Sequence, residues 1–84
     1  MRIFNKDEIE YCLKFQNPYQ HFAAKYALKE AVKKSIKEQI SFLDIVICYQ
    51  HDKPIIKLKN HSNYQFLATI SHEKNIAIAA VISF

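Results

Sequence analysis

The chain has 84 residues, half of them apolar, with 12 basic against 8 acidic residues and a formal net charge of +4. A chain of this size buries only about 60–65% of its unfolded surface, so the expectation is one domain, residues 1–84, with a thin core; its apolar content excludes a disordered tail. Glycine is absent, which excludes the glycine-rich phosphate loops of Walker and dinucleotide-binding proteins, and the positive charge favours an acidic or phosphate-bearing partner.

Asn5 followed by Glu8 has the spacing of a reciprocal helix cap, and Ile9, Cys12 and Leu13 give a short helix a buried stripe ending near Phe15. Asn17-Pro18 breaks that helix, and Pro18 suits the first turn of a second, predicted from about Tyr19 to Gln39. From Phe42 the period changes. Phe42 to Cys48 is β-branched and apolar, a predicted strand, and Pro54 to Leu58 is another after the turn Gln50-His51-Asp52-Lys53. Tyr64–Ser71 and Ile76–Phe84 form a second pair around His72-Glu73-Lys74-Asn75. The last strand is apolar on both faces, which predicts the long helix on one side and a neighbouring chain on the other.

Counting about 100° per residue along the second helix, Lys25, Lys29, Lys33, Lys37, Glu30 and Lys34 fall on one arc, opposite Ala24, Leu28, Val32 and Ile36. A basic face with an embedded acid suits a polyphosphate and its metal. Glu30 and Lys34 are equally an i,i+4 surface pair of ordinary kind. Cys12 and Cys48 read as buried thiols in a reducing compartment. The N-terminus carries no signal-peptide pattern and no run approaches the ~18 apolar residues of a membrane span, so a cytoplasmic soluble protein is expected, without membrane attachment.

The segment from Phe22 to Lys34, followed by Thr69-Ile70-Ser71-His72 and the alternating Ile76-Ala77-Ile78-Ala79, resembles the holo-acyl-carrier-protein synthases, the small trimeric 4′-phosphopantetheinyl transferases. Arg2-Ile3-Phe4 before an acidic helix ending in Tyr11-Cys12, then Phe42 to Val46 and Lys53-Pro54, fall in that family's order. The resemblance covers almost the whole chain. It implies an α+β fold with a long helix packed on an antiparallel sheet, assembled as a homotrimer. It implies transfer of the phosphopantetheine arm of coenzyme A to a serine of an acidic acyl carrier protein, in fatty-acid biosynthesis.

By the same resemblance Glu30 is a magnesium ligand, Lys34 and Lys25 lie near the coenzyme phosphates with Lys29 on the same face, and Ser71 and His72 belong beside the coenzyme. Glu30 and Lys34 are thus the expected catalytic pair, with Mg2+ as cofactor. The family also opens with a strand carrying Gly-x-Asp, whose aspartate is a second ligand, and a basic carrier-docking helix. This sequence starts after both, and neither Asp7 nor Asp44 matches that aspartate. Lys37-Glu38-Gln39-Ile40 replaces the family's glycine-containing loop, and Asp52 replaces the glycine of its Gly-Lys-Pro turn. The alternative is a non-catalytic or split member acting as a coenzyme A-binding or oligomerisation module. Nucleic-acid binding is not expected, since the lysine arc lacks interleaved exposed aromatics.

Overall fold

The computed structural model describes residues 2–51, 53–59, 64–73 and 76–84. Helix α1 (Lys6–Leu13) starts at the expected cap: Glu8 N donates to Asn5 Oδ1 at 2.9 Å and Asn5 N donates to Glu8 Oε1 at 3.1 Å. Two orphan amides of the first turn are satisfied by this exchange. Helix α2 (Pro18–Ser35) has its proline in the first turn, and Lys33 and Lys34 in its last turn complement the helix dipole.

The helix ends earlier than the predicted Gln39, because Ile36 is extended (φ −124°, ψ 157°) and Ser35 Oγ turns back onto the Val32 carbonyl. Tyr64 donates its hydroxyl proton to Glu38 beyond that end. Phe42–Asp44, expected to begin a strand, form a 3-10 turn, and strand β1 follows at Ile45–Gln50. It pairs antiparallel with β2 (Lys53–Leu58). His51, at the connecting turn, has φ of 51°, a left-handed conformation that histidine tolerates better than most residues and that this chain cannot assign to glycine. Asp52, Lys74 and Asn75 lie outside the described residues.

Strands β3 (Phe66–Glu73) and β4 (Ile76–Ser83) form a second antiparallel pair, with Leu67 opposite Ile82 and Ser71 opposite Ile78. The expected turn from His72 is therefore shorter: positions 72 and 73 continue the ladder opposite Ala77 and Ile76. The core joins Leu28 and Val32 of α2 to Ile40, Ile45 and Ile47, with Ala68, Ile70, Ala79 and Val81 of the second pair packed against it. Helices and antiparallel sheets together make an α+β fold.

Pro54 lies opposite Tyr49, with Cys48 opposite Ile55 and Gln50 opposite Lys53 on either side. Across β1, Ile47 turns its backbone away from β2: its N–H donates to Glu8 Oε2 at 3.0 Å and its carbonyl accepts from Lys25 Nζ at 2.8 Å. Charged side chains thereby seal the open edge of β1 in its middle. Burial fades along this strand, so Cys48 is exposed, contrary to expectation, whereas Cys12 is buried and its thiol is pushed up by burial.

Candidate active site

The lysine arc divides in two when α2 packs. Lys25 and Lys29, expected beside a coenzyme, are 2% and 0% exposed. They share the inward stripe of Ala24, Leu28 and Val32, because residues 24/25, 28/29 and 32 follow one another up the same helix face. Lys29 Nζ donates to Glu8 Oε1 at 2.6 Å, to the Ile3 carbonyl at 2.8 Å and to the Phe42 carbonyl at 3.0 Å. Lys25 Nζ, besides its bond to Ile47, lies 4.8 Å from the centroid of the Tyr11 ring and 4.9 Å from that of Tyr49, and these rings stack on each other. Burial pushes both ammonium groups below the ordinary lysine range, opposed by the Glu8 carboxylate. Their place on an open phosphate-binding face is thus corrected: both ammoniums are spent on internal partners.

What remains outward is Glu30 and Lys34, one turn apart, with exposed Lys37 beyond; Lys33 lies over the Phe42 ring at 4.1 Å. Glu30 and Lys34 line a groove of about 840 Å³ between α2, the Ile3–Phe4 arm and the start of β4 at Ile76–Ala79. Its walls are apolar: Phe22, Ala23, Ala27 and Ala31 from α2, Ile3 and Phe4 from the arm, Ile76 to Ala79 from the strand. Tyr26 also lines it, and its phenol is pushed above its ordinary value chiefly by the charge of Glu30, then by burial and a hydrogen bond to that carboxylate. The ladder sets Ser71 opposite Ile78 and position 72 opposite Ala77, so β3 brings the expected Ser-His pair to the strand that forms the groove wall. Ser71 is exposed; the side chain of His72 lies outside the described residues.

Among the described residues no group of three or more His, Cys, Asp or Glu side chains converges as a metal cage. Among the described residues that line the groove, Glu30 is the one carboxylate. The arrangement offers one anionic and one cationic side chain at the side of an apolar slot, enough to engage a ligand that carries both an apolar arm and phosphate. Glu8, expected only as a cap, proves to be the centre of the buried charge cluster. The sequence held a weak signal for it, an acid at the start of a helix whose neighbours are two lysines otherwise placed among alanines and leucines.

A family model of the 4′-phosphopantetheinyl transferase superfamily matches residues 1–81, and the chain belongs to this superfamily of transferases. It is 37% identical over 84 residues to a holo-[acyl-carrier-protein] synthase of Thermodesulfovibrio yellowstonii, covering 96% of this chain and 74% of the relative. A holo-[acyl-carrier-protein] synthase of Chlamydia felis is also 37% identical, over 91 residues, covering 98% of this chain and 75% of the relative. No helix among the described residues is long and apolar enough to cross a membrane.

Proposed function

We propose that this chain is a holo-acyl-carrier-protein synthase, transferring 4′-phosphopantetheine from coenzyme A to a serine of an acidic acyl carrier protein, in the cytoplasm and in the service of fatty-acid biosynthesis. The observation that carries this reading is the pairing of Glu30 and Lys34 on the wall of an apolar groove in a chain whose relatives carry that name. In the transfer the serine oxygen bonds to the phosphorus of the pantetheine phosphate, the bond from that phosphorus to adenosine 3′,5′-bisphosphate breaks, and the hydroxyl proton is lost. Lys34 places an ammonium where the pyrophosphate charge must be neutralised. The apolar walls suit the pantetheine arm, and Ser71 and position 72 lie on β3 opposite the groove-wall residues Ile78 and Ala77, where the coenzyme would border that strand.

A lone carboxylate fits Mg2+ only as part of a substrate complex, since this ion is commonly held by one or two carboxylates together with phosphate oxygens and water. Glu30 would be its protein ligand, and the ion would supply charge neutralisation of the pyrophosphate. Lys25 and Lys29 are left out of the proposed contacts.

The test is transfer of labelled phosphopantetheine from coenzyme A to apo carrier protein. Glu30→Gln and Lys34→Ala should each weaken the reaction by about 1–3 kcal/mol, the range of charge-assisted hydrogen bonds. Transfer that ignores both substitutions would move the chemistry elsewhere. With Glu30 the one carboxylate among the described groove residues, the second reading is a coenzyme A-binding module without transfer. Tight coenzyme A binding by a chain that transfers nothing would decide for that module.

A further inference from the structure

The proposed reaction uses the groove and leaves unexplained the buried charges behind it, which are tied to both of its walls. Lys29 immediately precedes Glu30 on α2, and its three hydrogen bonds reach three separate segments: the Ile3 carbonyl, Glu8 of α1 and the Phe42 carbonyl of the 3-10 turn. An ammonium has three protons to donate, so this one is fully used and fixed like a tripod. Ile3 is itself a groove residue, as is Phe4. The Phe4 ring centroid lies 5.5 Å from Lys29 Nζ and 5.1 Å from the ring of Phe22 on the opposite wall. Glu8, 3% exposed, receives Lys29 on Oε1 and the Ile47 amide on Oε2, so the same carboxylate locks α1 and the arm before it to the sheet. A contact of this kind fixes geometry more surely than it adds stability, because burying both charges costs about as much as their attraction returns.

We propose that Lys29 and Glu8 are positioning residues of the groove: their buried ion pair sets the spacing between the Ile3–Phe4 arm and the α2 face bearing Glu30 and Lys34, and so tunes the groove for a nucleotide phosphate. This rests on the reading of the groove as the coenzyme site. The groove's width is then set from within, by a residue that never touches the ligand.

The experiment uses the full chain, with adenosine 3′,5′-bisphosphate affinity by calorimetry and backbone amide exchange at Ile3 and Phe4 as readouts. The double substitution Glu8→Leu with Lys29→Met removes both charges together but leaves the Ile47 amide and the Ile3 and Phe42 carbonyls without these partners, so its urea midpoint should lie below the native one and above that of Lys29→Met alone, while affinity falls tenfold or more and the Ile3 and Phe4 amides exchange faster. A folded double variant of native affinity and native exchange would reduce the pair to a structural contact and overturn the proposal. Lys29→Arg retains the charge but carries its donors in a plane. It should remain folded and bind several-fold more weakly, and native affinity there also counts against the proposal. Lys34→Ala separates this inference from the reading beneath it. Unchanged affinity in Lys34→Ala would place the nucleotide outside the groove, whereas accelerated Ile3 and Phe4 exchange in the double variant would still establish the ion pair as what holds the arm.

Discussion

Lys25 and Lys29 stand four residues apart on α2 and are buried alike, yet their loss should have unequal consequences. Lys29→Met leaves the Glu8 carboxylate buried without its cation, a change that typically costs about 3–5 kcal/mol. Lys25 touches no carboxylate; its partners are the Ile47 carbonyl and the faces of Tyr11 and Tyr49. Lys25→Met orphans one carbonyl but removes a charge whose burial is itself unfavourable, so its cost should stay within about 1 kcal/mol. Urea unfolding at neutral pH distinguishes the two, and equal losses would show that the cation–π contacts with the tyrosines matter far more than this account allows. Tyr49 supplies a pH dependence of its own. Burial, then the neighbouring Tyr11 and Cys12, push its phenol from 10 up to about 12. A raised folded value means that the folded state keeps a proton the unfolded state gives up, so this contribution is intact below pH 10 and is lost as pH climbs to about 12. Lys25 acts with the opposite sign: its folded value lies below 10.5, the unfolded chain holds more protons there, and stability is gained as pH rises toward that value. Urea midpoints should therefore drop above pH 10, and Tyr49→Phe should flatten the drop.

At the level of elements, the cap of α1 is the most exposed point of the design, because Asn5 both begins the helix and aligns Glu8 for Lys29. Asn5→Ala should cost at least the usual ~1 kcal/mol of a lost cap, and more if Glu8 drifts from its partner, which thermal unfolding of Asn5→Ala beside Asn5→Asp can measure. Loss of under half that amount would mean that tertiary packing alone holds the first turn. This cap was legible in the sequence, as were Pro18 at the head of α2 and the two strand pairs, because each rests on residues within one turn or one alternation of each other. The end of α2 was not. Ile36 and Ile40 continue a helical spacing in the sequence, and only the extended backbone at Ile36 breaks it. That Glu30 and Lys34 share a helix face was legible for the same local reason, being one helical turn apart, and both line the groove. Lys25 and Lys29 were misjudged because the acceptors that bury them, Ile3, Glu8, Phe42 and Ile47, come from segments far along the chain. Periodicity shows which face a lysine occupies but not whether distant carbonyls await it. Cys48 failed in the same way, since an apolar strand reads as buried along its length whereas β1 leaves the core before its end.

At the scale of the whole molecule, the second strand pair carries an apolar surface without a covering among the described residues. Leu67, Ile76, Ile78 and Ile82 of the second strand pair and Phe84 just past β4 are each 60–64% exposed, while Ala77, Ala79 and Val81 on the opposite side of β4 turn inward. Burying such a side chain fully is worth about 1.5–3 kcal/mol, so a contiguous group of this kind offers a driving force for association that a thin core of this size would use. The homotrimer that the family resemblance implies should form through this face. Sedimentation at micromolar concentration should give three times the monomer mass, and Ile82→Lys combined with Leu67→Lys, directly opposite each other in the ladder, should give the monomer. Ile76 and Ile78 belong both to this exposed face and to the wall of the groove, so a neighbour seated on the face would border the ligand. Assembly and binding should therefore be linked. Adenosine 3′,5′-bisphosphate should raise the fraction of trimer at limiting protein concentration, and the monomeric variant should bind it more weakly by the same factor per site, as reciprocity of coupled equilibria requires. A wild-type chain that stays monomeric and unfolds cooperatively would remove the trimer. A trimer whose population is indifferent to the nucleotide would confine the neighbour to stability and leave the groove complete within one chain.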